Sequence, residues 1–291
     1  MTSSRKVWLI GADSFTGTHL LPSLEKNKYQ VDISEVDITN REQVSEAMLR
    51  IEPDYIISLA AISFVPDGGD ESIYAVNTFG AQNILAACLK LSKKPKNIIL
   101  ASSANVYGVQ KQEQVDENSI PNPVNHYGCS KWSMEQIAQT YSEQLNITIT
   151  RPFNYTGIGQ DSKFLVPKIV EHFIKKTTVL KLGNIDVWRD FSDVRWIIEA
   201  YTKLLSRQNQ GLTRVNLCSG NLISIREIIE VLQQITDHQI TVETDIDLVR
   251  KADIHRQCGN NKKLFELVPN LSSVIELKET LKWMLSRENK M

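Results

Sequence analysis

Short unbroken apolar runs alternate along this chain with stretches whose apolar residues recur every three or four positions. Lys6–Ile10 (KVWLI), Tyr55–Ala61 (YIISLAA), Asn97–Ser102 (NIILAS) and Ile147–Thr150 (ITIT) are continuous rather than alternating. Strands buried on both faces read this way, because neither face meets water. Gly17–Lys26, Arg41–Ile51, Ser72–Leu91 and Tyr127–Gln144 carry the helical spacing between them. The order strand, helix, strand, helix predicts an α/β fold, a Rossmann-like doubly wound parallel sheet with right-handed crossovers.

Beyond residue 153 the rhythm loosens. Helices are predicted at Val166–Lys175 and Asp193–Leu205. Another starts at Ser224, where SIRE sets a serine at the N-cap and Glu227 three residues on, a capping box. Short strands are predicted at Arg214–Leu217 and Ile240–Glu243, and a closing helix at Glu276–Leu285. The expected division is a dinucleotide-binding unit over 1–153 and a smaller C-terminal α/β part over 154–291. Segments near 184–205 and 214–235 are expected to return to the main unit.

The 291 residues are 42% hydrophobic and 23% charged, ordinary for a globular protein. With 33 basic and 34 acidic residues the net charge is -1. Nothing there attracts nucleic acid or an anionic membrane, so any phosphate must be held by local groups. The cysteines, Cys88, Cys129, Cys218 and Cys258, are far apart and form no CxxC pair. No metal site and a reduced, cytoplasmic protein are the expectations. Gly11 interrupts the opening MTSSRKVWLI too early for a signal peptide, and no later run reaches about 18 apolar residues.

IGADSFTG follows the first strand and opens the first helix. Gly11 permits a tight turn, Gly17 lets helix and strand pack closely, and the helix N-terminus offers free N–H groups to a pyrophosphate. Ser14 stands where such fingerprints carry a middle glycine. VDIT sets Asp37 and Ile38 at a strand end, suited to an adenine edge. SLAA ends a strand with Leu59, Ala60 and Ala61, leaving room for a flat ligand. From Gly17 to Asp37 is only twenty residues. Asp32 can read the adenosine ribose, or YQVDISEVDI is one strand with Asp32 and Glu35 facing solvent. This region does not separate NAD from NADP.

LASSANVYG (Leu100–Gly108) brings Ser102 and Ser103 to a strand's carboxyl end, and YGCSK follows about twenty-five residues later. Tyr127 and Lys131 are four apart and share a helix face. Alone, the pair is equally an ordinary surface feature. In a pocket, the ammonium lowers the phenol from about 10 toward neutrality. The tyrosine then exchanges a proton with a carbonyl or hydroxyl oxygen that Ser103 also binds, while a cofactor carries hydride.

The ordered set GADSFTG, DIT, SLAAIS, VNTFGAQNIL, SSANVYG, YGCSK and RPFNYTGIGQ resembles the extended short-chain dehydrogenase/reductase family, enzymes of nucleotide sugars. The resemblance implies Tyr127 as acid/base, Lys131 as its electrostatic partner and nicotinamide-ribose ligand, and Ser103 as the third member. It implies a cofactor site of Gly11, Ser14, Phe15, Thr16, Gly17, Asp37, Ile38, Leu59, Ala60, Ala61, Asn77, Ser102, Tyr127, Lys131 and Pro152. The cofactor implied is NAD(P)H, with NADPH slightly favoured.

RPFNYTGIGQ, GNIDVWRDFSDV and RVNLCSGNLISIRE most resemble the GDP-6-deoxy-4-keto-mannose reductases and the neighbouring GDP-mannose 4,6-dehydratases. In that pattern Ser103 and Ala104 meet the sugar and Asn154 a phosphate. Arg189 reaches the diphosphate or its ribose, and Arg250 with Asp253 closes over the nucleotide. Arg189 can instead pair with Asp190 or Asp193, and Arg250 can be a solvated surface charge. The dehydratases carry a glutamate where this chain has Asn105, which cannot shuttle a proton, so elimination is disfavoured. The expectation is 4-keto reduction of a GDP-linked sugar to a GDP-rhamnose-type product. A 4-epimerase with bound NAD and a non-catalytic cofactor-binding regulator are the rivals. Ser14 for Gly, Tyr155 for His, Ile158 for Pro and Lys251 for Pro depart from the family pattern. The resemblance also implies a homodimer joined by the Ser72–Leu91 and Tyr127–Gln144 helices, with Ile84, Leu85 and Cys88 either forming its face or covering the sheet.

Overall fold

The computed structural model describes residues 5–63, 71–207, 210–246 and 254–286. The strands are β1 (Lys6–Ile10), β2 (Gln30–Asp32), β3 (Tyr55–Ser58), β4 (Asn97–Ala101), β5 (Ile147–Pro152), β6 (Asn154–Thr156), β7 (Val179–Leu182), β8 (Trp188–Asp193), β9 (Leu212–Leu217), β10 (Leu222–Ser224), β11 (Thr241–Thr244) and β12 (Arg256–Gln257). The helices are α1 (Phe15–Lys26), α2 (Arg41–Ile51), α3 (Ser72–Tyr74), α4 (Ala81–Cys88), α5 (His126–Gln139), α6 (Leu165–Ile174), α7 (Val194–Leu205), α8 (Ile225–Thr236), α9 (Lys262–Leu267) and α10 (Leu277–Leu285). A π-helical turn, Ala75–Gly80, joins α3 to α4.

Six strands form one parallel sheet in the order β2-β1-β3-β4-β5-β9. The chain steps from β1 out to β2 and returns on the other side at β3. The switch point therefore lies between β1 and β3, and a crevice opens at their carboxyl ends. The short Gly17–Asp37 segment holds one three-residue edge strand, β2, at the start of YQVDISEVDI, and the rest of that run is not strand.

Alternation along β1 sorts the two faces. Val7 and Leu9 pack with Leu20 and Leu24 of α1 and Trp196 and Tyr201 of α7. Trp8 and Ile10 pack with Met48 of α2, Ile84, Leu85 and Cys88 of α4, and Met134 of α5. Ile84, Leu85 and Cys88 thus cover the sheet within one chain, and the alternative of a dimer face for them is set aside. Segment 214–235 divides: β9 is the sixth strand, whereas α8 packs with α6 and α10 in a separate cluster around Phe173, Ile228 and Leu281. A small sheet, β10-β8-β12 with β6 beside β8, lies between the two parts. Among the described residues no helix is long and apolar enough to cross a membrane, and no group of His, Cys, Asp or Glu can hold a metal ion. Arg250 and Asp253 lie outside the described residues.

Candidate active site

The turn after β1 is built on two glycines. Gly11 has φ +83°, and a Cβ there would stand 3.0 Å from Ala60 N, so the loop lies against the end of β3. A Cβ on Gly17 would come within 2.3 Å of Gly11 O, which only glycine avoids. Ser14 caps α1: its Oγ accepts from Gly17 N at 3.0 Å and donates to Gly11 O at 2.7 Å. The hydroxyl is turned inward, so phosphate binding falls to the first-turn N–H groups of Phe15 and Thr16, which have no partner within a helix. Leu59, Ala60 and Ala61 follow β3 across this crevice. The shape and donor set fit a dinucleotide pyrophosphate.

Supporting contacts hold the rim. Asn77, 1% exposed on the π-helical turn, accepts from Ile62 N at 2.9 Å and donates to Ile62 O and to Ser130 Oγ, each at 3.0 Å. Its amide spans the loop after β3 and α5 rather than facing the crevice. Asn83 Nδ2 donates to Ile38 O at 2.9 Å, fixing the loop of Asp37 and Ile38. Asp37 Oδ1 accepts from Thr39 N and Oγ1, which holds its carboxyl below the usual range. Asp32 closes β2 beside β1, its Oδ1 accepting from Ser34 N at 2.9 Å.

Ser103, Tyr127 and Lys131 come together at the carboxyl end of β4. Ser103 caps a short 3-10 turn, Ala104–Val106. Tyr127 stands in the first turn of α5, which Asn125 caps. Lys131 is 2% exposed, donates to Ala101 O at 2.7 Å and lies 6.0 Å from the centre of the Tyr127 ring. Burial pushes Tyr127 up to about 12, with Tyr155 adding to the rise and the Ser103 hydroxyl opposing it. Burial pushes Lys131 down to about 8, against the pull of Glu135. The expected lowering of the tyrosine by the lysine is therefore reversed: desolvation outweighs an ammonium that faces the ring and Ala101. Ser102 turns away, donating to Glu135 Oε1 at 2.6 Å. Pro152 ends β5 on the same rim.

On the opposite wall, Asn154 is exposed on β6 and donates to Asp190 O at 3.3 Å. Arg189 donates to Trp188 O at 2.9 Å and His255 O at 3.4 Å. The acids proposed as its partners are engaged elsewhere, Asp190 by Ser219, Gly220 and Gly259, and Asp193 by Arg195 and Thr280. Two further residues reach this site: Gln257, which carries no sequence signal for it, and Tyr155, noted only as a departure from the family pattern. Gln257 Nε2 donates to Ala104 O at 3.0 Å and ties β12 to the Ser103 turn. Tyr155 OH lies 2.6 Å from Thr16 Oγ1, and its ring stacks on Phe15 at 6.0 Å.

A glycine turn on a helix end, a switch-point crevice and a Ser–Tyr–Lys group with its serine and lysine buried define a nicotinamide-dinucleotide oxidoreductase of the extended short-chain dehydrogenase/reductase type. Residues 4–276 match the family model of GDP-mannose 4,6 dehydratase, and the chain belongs to that family. It is 35% identical over 270 residues to GDP-6-deoxy-D-talose 4-dehydrogenase of Aggregatibacter actinomycetemcomitans, covering 91% of this chain and 92% of that one. It is 28% identical over 298 residues to GDP-6-deoxy-D-mannose reductase of Pseudomonas aeruginosa, covering 97% of each. The structure of RMD from Pseudomonas aeruginosa complexed with NADPH superposes with a TM-score of 0.87 at 28% identity, over 97% of both chains.

Proposed function

We propose that this enzyme reduces the 4-keto group of a GDP-linked 4-keto-6-deoxyhexose. The observation that carries the reading is the Ser103, Tyr127 and Lys131 group at the crevice mouth, with Tyr127 held up at about 12. A phenol so placed is protonated throughout the neutral range, the form that ketone reduction consumes. The dinucleotide, when bound, supplies the hydride for C4. Ser103 donates a hydrogen bond to the C4 oxygen as negative charge develops, and Tyr127 gives that oxygen its proton. Lys131, near 8, stands behind the tyrosine as a group able to return a proton to it.

The two relatives, both enzymes of GDP-6-deoxy sugars by name, support the GDP-linked substrate. Asn154 and Arg189 are proposed to meet its diphosphate and ribose, with Arg250 and Asp253 closing over them. The two relatives differ in the sugar they name. Reduction from one face of the ketone gives the rhamnose-type product and from the other the 6-deoxy-talose type. The higher identity to the talose enzyme favours the second. A carboxylate about twenty residues after the first glycine pairs with a ribose 2′-hydroxyl and repels a 2′-phosphate. Asp32 at the end of β2 thus favours NADH, whereas the resemblance leans to NADPH.

The test is coenzyme absorbance with GDP-4-keto-6-deoxy-mannose, using NADH and NADPH in turn. Decay is expected, faster with NADH, and Tyr127→Phe should slow it by about 10²–10⁴-fold. Proton NMR of the product reads its C4 configuration. No decay with either coenzyme would defeat the reading.

A further inference from the structure

Asn105 fills the position that carries an acid in the dehydratases, and its contacts give it a different task. The chain of contacts begins at Gly128 N, a backbone group that can only donate, 2.7 Å from Asn125 Oδ1. That bond settles which end of the Asn125 amide faces α5. Its Nδ2 is therefore the end turned to Asn105, 3.4 Å from Asn105 Oδ1. Asn105 in turn presents its Nδ2 to Ser103 Oγ at 3.0 Å, and its own backbone N–H reaches the same oxygen at 3.1 Å. A serine hydroxyl has two lone pairs and one O–H. Both lone pairs are taken by Asn105, and only the O–H is left. The contact cannot drift, because the first turn of α5 lies directly on this backbone: a Cβ on Gly128 would stand 2.6 Å from Asn105 O.

We propose that Asn105 is a positioning residue that makes Ser103 an obligate hydrogen-bond donor, so that the site selects the oxygen of a ketone or alkoxide over that of an alcohol. A ketone oxygen only accepts, and it meets two donors, Ser103 and Tyr127. An alcohol brings a proton of its own, for which neither lone pair of Ser103 is free, so it can donate only to the Tyr127 oxygen and must turn the phenol's own proton away. The inference rests on the reductase reading and sharpens it, since it says which oxidation state of the sugar the site is built to hold.

The experiment compares wild type, Asn105→Asp and Asn105→Leu by initial rates of coenzyme-dependent reduction of GDP-4-keto-6-deoxy-mannose across the pH range. The ionised carboxylate of Asn105→Asp cannot donate and draws the Ser103 proton to itself. Its kcat is expected to fall about tenfold at neutral pH and to recover as pH drops toward the carboxyl's own pKa. Asn105→Leu loses a similar factor at every pH, and the coenzyme KM is unchanged in both. A wild-type pH profile in Asn105→Asp overturns the proposal. Absence of turnover in wild type defeats the reductase reading alone, and the proposal is then decided by hydrogen exchange of the Asn105 side-chain amide. That signal is identified by its absence from either Asn105 variant. Faster exchange in Ser103→Ala than in wild type supports the contact, and equal exchange overturns the proposal.

Discussion

Lys131 shows how an active site works against its own fold. Its ammonium sits almost wholly out of water with Ala101 O for a partner, and its pKa falls from 10.5 to about 8. A lysine depressed in the folded state disfavours folding while it is charged in both states. The penalty is full below pH 8, shrinks as pH rises, and vanishes above the unfolded value of 10.5. Lys131→Met should therefore stabilise the protein at pH 7 by about 1–2 kcal/mol, the lost bond to Ala101 offsetting part of the gain. The advantage should fade in melts at pH 10, while the proposed ketone reduction is lost at both. An unchanged or lower melting temperature at pH 7 would count against the buried ammonium.

At the scale of elements, α5 is fastened to the sheet by a buried acid. Glu135, on the face it shares with Lys131, accepts Arg151 Nε at 2.9 Å and Nη2 at 2.7 Å from β5, and Arg214 Nε at 3.0 Å from β9. Glu135→Gln leaves two guanidinium groups short of their counter-charge and should cost about 3–5 kcal/mol in urea unfolding. Asp186→Asn, which breaks the exposed pair with Arg226, should cost less than about 1 kcal/mol. The contrast explains what was legible beforehand. β1, β3 and β4 announce themselves as nearly unbroken apolar runs, β5 as β-branched residues throughout ITIT, and α2 and the α8 capping box follow from local signals. β8 buries Asp190, Ser192 and Asp193. The partners of its acids, Ser219, Gly259 and Thr280, lie far along the chain, so no pattern reveals it. The same holds for Gln257, whose target Ala104 is 153 residues away. Spacing alone leaves Tyr127 and Lys131 undecided and only the family resemblance singles them out with Ser103, while the sign of the tyrosine's pKa shift is hidden from both because it depends on burial.

At the scale of the whole molecule, the homodimer implied by the resemblance remains a proposal with a specific surface. With Ile84, Leu85 and Cys88 inside, the outer side of the paired helices offers Phe79, 54% exposed, and partly exposed Ile137. Phe79→Glu should shift sedimentation from dimer to monomer while leaving coenzyme binding intact, and a wild-type monomer would remove the proposal. The link from Gln257 to Ala104 has a consequence for the life of the chain on the ribosome. The first 153 residues contain Ser103, Tyr127, Lys131 and the glycine turn. They emerge without β9, without Arg214 for Glu135, and without the side chain that holds the Ser103 turn. At about 5–20 residues per second, the nascent chain waits roughly seven to twenty-six seconds between the synthesis of Tyr127 and that of Gln257. Throughout that interval its candidate catalytic group is fully written but not yet tied to β12.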